Sequence, residues 1–125
     1  MHLLWRKSMR LDGEVKKGWG SEQIWATNDL YCGKLLRFNE GKKFSMHLHK
    51  EKDETWLVMS GKFKLTVILT ETAERTEIFL ESGETWRNPP MIPHQLECLE
   101  QGVVIEVSTP DSVEDNYRVE PGDSQ

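Results

Sequence analysis

Apolar and polar residues alternate through most of the chain in short runs that turn-forming residues separate. Residues 63–70, FKLTVILT, place Phe63, Leu65, Val67 and Leu69 on one face of an extended strand. No window of comparable length shows the 3.6-residue period of a helix. Further runs with strand character cover residues 23–26, 30–38, 44–49, 54–59, 75–80, 84–87, 94–100 and 103–108.

The predicted strands are close together in the sequence, and short turns join them. Ser60 with Gly61 and Gln101 with Gly102 are read as two of these turns, since glycine permits a chain reversal. Many short strands at regular spacing are typical of an all-β sandwich or barrel. We therefore predict one barrel domain over residues 18–110. Residues 1–17 are expected to form a loosely held arm and residues 111–125 a polar tail with at most one helical turn.

Composition limits the partners of the chain. The 125 residues carry a net charge of −5, and no basic run provides a footprint for nucleic acid. No apolar run is long enough to span a membrane. Cys32 and Cys98 are too few for a disulfide framework and are expected to be free thiols. The first residues lack the layout of a signal peptide, so the cytoplasm is the expected location.

The candidate chemistry begins in the stretch from Gly41 to Gly61. His47 and His49 lie two positions apart in a predicted strand, so they project from one face about 7 Å apart. A charged link of residues 50–53 follows, and Glu54 opens the next predicted strand. This arrangement can present two imidazoles and one carboxylate to a single cation.

His94 is the candidate for a fourth ligand. Prolines at positions 89, 90 and 93 stiffen the loop before it, and His94 shares a strand face with the apolar Leu96 and Cys98. A barrel can bring this inward histidine to the His47 pair. Three imidazoles and one carboxylate leave a position open for substrate on a divalent ion, and they suit zinc, iron, manganese, nickel or cobalt.

The spacing of these residues resembles the signatures of the cupin superfamily. Gly41, His47, His49, Glu54 and Gly61 match every position of the first signature. The second signature is matched in part, by Gly83, Pro89 and His94, whereas Met91 replaces its second glycine and Cys98 its final asparagine. The resemblance implies a small cupin barrel, a double-stranded β-helix or jelly roll, that holds its metal through His47, His49, Glu54 and His94.

Within the cupins, the chain is similar to the cupin domain of type II mannose-6-phosphate isomerases. The likeness includes the pair Trp19–Gly20, the Lys34 strand, the segment from Glu54 to Gly61 and the string Ile105–Glu106–Val107 before an acidic stretch at residues 114–115. It implies a metal-dependent aldose–ketose isomerase acting on a sugar phosphate. His47 departs from the glutamine usual at its position. An iron-dependent dioxygenase or a non-catalytic sugar-binding module are the alternatives.

A sugar phosphate would require cationic partners, for which Lys34, Arg37 and Arg87 are the candidates. Lys34 and Arg37 have odd spacing, so only one of them can face the lumen, and each of the three can instead be a solvated surface charge.

Isomerisation would also require a base, and the sequence leaves Glu97 and Glu106 as open possibilities. Met46 and Leu48 alternate with the histidines and must be covered from outside the barrel. A second layer or a partner subunit could cover them, which leads us to expect a homodimer.

Overall fold

The computed structural model describes residues 10–123, and they form a single curled antiparallel sheet of nine strands. Among these residues no helix is present that could span a membrane. The prediction of an all-β barrel is confirmed. The strands are β1 (Val15–Lys17), β2 (Gly20–Thr27), β3 (Cys32–Phe38), β4 (Met46–Leu48), β5 (Glu54–Ile68), β6 (Arg75–Glu81), β7 (Thr85–Asn88), β8 (His94–Ser108) and β9 (Tyr117–Glu120).

Two long strands, β5 and β8, run antiparallel to each other and form the spine of the sheet. Strands β1, β2 and β3 extend the sheet from one side of β8, and β6 and β7 pair with the two halves of β5. The short strand β4 lies between β8 and β9. This order places the start of β8 beside β4, where the predicted metal ligands lie.

The sequence prediction of turns at Gly61 and Gly102 is wrong. Both glycines lie inside continuous strands, and the pairing of β5 with β8 shifts register between Val58 and Phe63. A Cβ atom on Gly102 would lie 2.1 Å from the backbone oxygen of Ser60, so the two strands cross too closely for a side chain. These glycines mark β-bulges that bend the two strands into a barrel.

Buried apolar side chains form one continuous core inside the barrel. Phe63, Leu65 and Val67 are buried as the alternation predicts, but Leu69 at the end of the run is exposed. Trp19 stacks on Phe38 with ring centroids 4.5 Å apart. Further buried members of the core are Leu36, Phe44, Trp56, Val58, Leu80, Leu96, Cys98 and Val104. Cys32 and Cys98 are both buried and free.

The segment after β8, for which the sequence predicts a tail, forms the strand β9 along β4. Met46 is fully buried within the single chain and Leu48 is half-buried. Met46 therefore needs no partner subunit to cover it, and the homodimer stays a prediction. The arm predicted for residues 1–17 contains the strand β1, and its first nine residues lie outside the described part of the chain.

Candidate metal centre

Three histidines meet at one end of the barrel lumen. His47 on β4 is paired directly with His94, the first residue of β8. His49 lies two positions after His47 in the chain. One nitrogen of each ring lies within 4.8 Å of the others. The strand alternation that predicts His47 and His49 on one face therefore brings these two rings to His94.

Backbone carbonyls fix the orientation of all three rings. The Nδ1 atom of His47 donates to the carbonyl of Ser45 (2.8 Å), and that of His94 donates to Ile92 (3.0 Å). His49 donates its Nδ1 hydrogen to the carbonyl of Asp115 (2.6 Å). Because a carbonyl oxygen can only accept, each neutral ring carries its hydrogen on Nδ1 and leaves Nε2 free to bind a metal.

The charge state of the rings also suits metal binding. Burial lowers the pKa of His47 to about 3, and the neighbouring His94 and His49 contribute to that lowering. Burial likewise lowers the pKa of His49. These two imidazoles are therefore neutral near pH 7, the form in which histidine binds a metal.

The Nε2 atom of His94 is the best single test of whether a metal fits. Among the buried side-chain nitrogen and oxygen atoms of residues 10–123, this atom is the one that lacks a hydrogen-bond partner. Glu54 Oε1 is 2.9 Å away, but the contact does not have the alignment of a hydrogen bond. Since a buried polar atom without a hydrogen-bond partner is costly, a metal bound here would satisfy this atom.

Glu54, the first residue of β5, lies beside the histidines. Its Oε1 atom is 3.9 Å from Nε2 of His49, and the amide of Asn88 donates to the same oxygen (3.4 Å). Burial opposes the charge of this carboxylate, but the adjacent His94 and Lys52 outweigh burial and hold its pKa well below the ordinary range. Glu54 is therefore an ionised carboxylate within reach of the ligand set.

A buried network of charges continues the site beneath Glu54. Lys52 contacts Glu54 (3.2 Å), Glu106 (3.2 Å) and Asp111 (3.0 Å). Burial opposes the charge on Lys52, but its three carboxylate partners raise its pKa above the ordinary value. Glu106 also accepts a hydrogen bond from the indole of Trp56 (3.1 Å), and burial together with the charge of Glu54 raises the pKa of Glu106.

The network holds more acidic than basic groups. Lys34 pairs with Glu22 and Asp111, each at 3.0 Å, so two lysines contact four carboxyl groups in total. A divalent cation bound beside Glu54 would add positive charge next to these carboxyl groups, and buried charges need such compensation. The excess of carboxyl groups, the neutral imidazoles of His47 and His49, and the Nε2 atom of His94 without a hydrogen-bond partner all fit such an ion.

The structure separates the three residues predicted to bind substrate. Lys34 is buried and lines the same cavity as His47 and His49. Arg37 lines a different cavity and contacts Gln23, so the predicted choice between Lys34 and Arg37 falls on Lys34. Arg87 lies on the surface, where it binds Asp53 through two hydrogen bonds of 3.0 and 2.7 Å.

The cavity that His47 and His49 line has a volume of about 270 Å³ and is open to solvent. Two further cationic side chains line it, Lys17 from β1 and Arg118 from β9. Arg118 is paired with His47 across the two strands, so its backbone is adjacent to the histidine cluster. The cavity thus combines two of the histidines, a buried charge network and the exposed side chains of Lys17 and Arg118.

Several of these residues could not be assigned from the sequence. Lys52 falls in the charged link between two candidate ligands, and nothing in that link indicates burial. Asp111, Asp115 and Arg118 belong to the segment predicted as a tail. In that segment, only the acidic stretch at residues 114–115 indicates a role in the site, because it forms part of the resemblance to the isomerase cupin domains.

The fold is that of a cupin. Over 93% of this chain and 33% of its own, the capsular polysaccharide assembling protein CapF from Staphylococcus aureus superposes with a TM-score of 0.80 at 22% identity. Oxalate decarboxylase from Bacillus subtilis superposes with a TM-score of 0.73 at 18% identity, over 87% of this chain and 30% of its own. KdgF from Halomonas sp. superposes with a TM-score of 0.63 at 20% identity, over 75% of this chain and 81% of its own. The predicted cupin class is confirmed.

Residues 5–115 match the profile of the family described as mannose-6-phosphate isomerase C-terminal, and the chain belongs to this family. Two curated relatives are mannose-1-phosphate guanylyltransferases. The protein from Salmonella muenchen is 28% identical over 96 residues, which is 74% of this chain and 20% of the relative. The protein from Escherichia coli K12 is 28% identical over 105 residues, 81% and 22% respectively. The chain therefore spans about a fifth of their length.

Proposed function

We propose that this protein binds one divalent transition metal through His47, His49, His94 and Glu54 and isomerises a phosphorylated sugar between its aldose and ketose forms. The observation that carries the proposal is the meeting of three histidine rings, each fixed through Nδ1. Two of them, His47 and His49, line a cavity together with the ionised carboxylate of Glu54. When bound, the metal would supply Lewis acidity for a developing oxyanion on the sugar.

The isomerisation moves a proton between two neighbouring carbon atoms, so it requires a group that can take and return that proton. Glu106 faces the cavity and lies outside the ligand set. Glu97 is half-buried, is ion-paired with Lys64 (3.6 Å) and does not line the cavity. Of the two candidate bases, the geometry favours Glu106.

The phosphate of the substrate would require positive charge at the cavity. Lys34 and Lys52 are each held by at least two carboxylates. The exposed side chains of Lys17 and Arg118 also line the cavity, at its edge. We assign the phosphate contacts to these two, with Lys34 as a buried cation that orders the carboxylates behind them. Arginine and lysine are the usual phosphate partners.

Proton exchange with solvent tests the activity. Metal-loaded protein is incubated with mannose 6-phosphate in deuterium oxide, and NMR follows the hydrogen at sugar C2. Exchange that requires the metal and is lost in His94→Ala supports the isomerase.

Three other results would point elsewhere. Stabilisation by the sugar phosphate without exchange would overturn catalysis in favour of a binding module. Oxygen uptake by the iron-loaded protein would favour a dioxygenase. Failure to bind any divalent metal would overturn the metal centre itself.

A further inference from the structure

The segment after β8 lies along the strand and loop that carry two of the three histidines. Strand β9 pairs with β4, and Asp53 and Thr109 exchange two hydrogen bonds of 3.0 Å just before Glu54. These contacts join parts of the chain that are distant in sequence. The end of the described chain therefore forms one wall of the metal centre.

Asp115 makes the densest set of contacts in this wall. Its backbone carbonyl accepts the Nδ1 hydrogen of His49 at 2.6 Å. Its carboxylate accepts the backbone N–H groups of Lys50 (2.7 Å), Glu51 (3.1 Å) and Lys52 (2.9 Å). One residue thus binds a histidine through its main chain and the loop after that histidine through its side chain.

We propose that Asp115 is a positioning residue for the metal centre. Its carboxylate clamps the loop of residues 50–52, and this clamp holds its own carbonyl against Nδ1 of His49, so that Nε2 of His49 stays directed into the cavity. His47 and His94 take their carbonyl partners from residues two positions before them, whereas His49 depends on a residue far along the chain. The inference rests on the proposed function, because it assigns Asp115 a role in metal binding.

The tautomer of each ring in the metal-free protein tests the positioning role directly. Long-range ¹H–¹⁵N NMR should show the Nδ1–H form for His49 in the wild type. In Asp115→Ala we expect His49 to become a mixture of tautomers, while His47 and His94 keep theirs. Glu114→Ala, which removes the neighbouring exposed acid, should match the wild type. An unchanged His49 tautomer in Asp115→Ala would overturn the proposal.

Zinc affinity, measured by competition with a chromophoric chelator, is the second readout. Loss of an outer partner of a ligand histidine weakens metal binding by roughly 10- to 100-fold, which is the change expected for Asp115→Ala and not for Glu114→Ala. If Asp115→Ala does not fold, Asp115→Asn takes its place in both measurements. It keeps one acceptor oxygen without the charge, and an affinity equal to that of the wild type would overturn the proposal.

The two proposals fail in different ways. If the wild type and Asp115→Ala bind zinc with equal affinity, the role of Asp115 is overturned and the metal centre remains. A wild type that binds no metal would overturn the proposed function, and the tautomer measurement would still decide whether Asp115 positions His49.

Discussion

His47 on β4 and His94 at the start of β8 are directly paired across the two strands, with their ring centroids 4.8 Å apart. Paired residues on antiparallel strands project to the same side of the sheet, so the backbone itself brings these two rings together. His49, which directly follows β4, brings its ring to within 5.0 Å of the His47 ring and 5.6 Å of the His94 ring, measured between centroids. The geometry of the cluster thus follows from strand pairing, with carbonyl contacts fixing the rings.

Glu106→Gln tests the assignment of the proton-transfer group. Removing a positioned acid or base lowers the rate by roughly 10²- to 10⁴-fold, so we expect kcat for sugar-phosphate isomerisation to fall by that factor while the bound metal is retained. Glu97→Gln is the matched control and should keep its kcat, since Glu97 does not line the cavity. A Glu106→Gln protein with wild-type kcat would eliminate Glu106 as the base.

Arg118→Ala tests the phosphate contact. Because Arg118 lines the cavity beside His47, its loss should raise KM for the phosphorylated sugar by about tenfold and leave kcat nearly unchanged. Arg87→Ala removes an exposed arginine that pairs with Asp53 outside the cavity, and it should leave KM unaltered. Equal effects of the two variants on steady-state kinetics would refute a specific role for Arg118.

The clustering of the three histidines is predictable because each of them belongs to a local pattern. Alternation alone places His47 and His49 on one face, and the apolar partners of His94 on its strand predict that it points inward. In the loop before His94, the backbone keeps a glycine-like conformation although the signature's glycine is replaced. Met91, at the glycine position of the second signature, has a φ of 75°, a conformation that glycine adopts without strain, and its N–H donates to the carbonyl of His49 (2.7 Å).

The charge network and the bulges were not predictable for the opposite reason. Lys52 is buried because Glu106 and Asp111 reach it from distant parts of the chain, and no local pattern records those contacts. The sequence predicts turns at Gly61 and Gly102, because glycine favours turns and bulges alike. Only the pairing of β5 with β8 distinguishes a bulge from a turn at these glycines, and that pairing is a property of the folded sheet.

Gly102→Ala should destabilise the barrel strongly. The added methyl group would meet the backbone of Ser60 and Gly61, which cannot move aside as a side chain can, so we expect a loss of about 3 kcal/mol in the free energy of unfolding. Gly83→Ala is the control. That site has a φ of +89° and no atom within 4 Å of the new methyl group, so backbone strain alone should cost about 1 kcal/mol. Urea unfolding followed by tryptophan fluorescence compares them, and equal losses would contradict the close crossing of the strands.

Asp111→Asn should destabilise the metal-free protein in a pH-dependent way. Burial opposes the charge of Asp111, but Lys52 and Lys34 outweigh it and hold its pKa below the ordinary 3.8. The ionised carboxylate therefore stabilises the fold fully above pH 3.8, the ordinary pKa. This contribution is lost as the pH falls through the lower pKa that Asp111 has in the folded protein.

Urea unfolding of the wild type and Asp111→Asn at a series of pH values measures this contribution. At pH 7 the variant should be less stable by roughly 1 to 2 kcal/mol, and the difference should narrow as the pH falls below about 4. A difference that stays constant or widens in acid would contradict the ion pairs of Asp111 with the two lysines.

The most direct test of the account is the metal content of the purified protein after dialysis against zinc, iron, manganese, nickel or cobalt, determined by mass spectrometry. His94→Ala removes the histidine whose Nε2 atom has no hydrogen-bond partner, and His2→Ala removes the histidine that lies outside the described residues. We expect about one ion per chain in the wild type and in His2→Ala, and almost none in His94→Ala. A wild type that stays empty with every metal, or a His94→Ala protein that still binds a full equivalent, would contradict a metal centre built on these histidines.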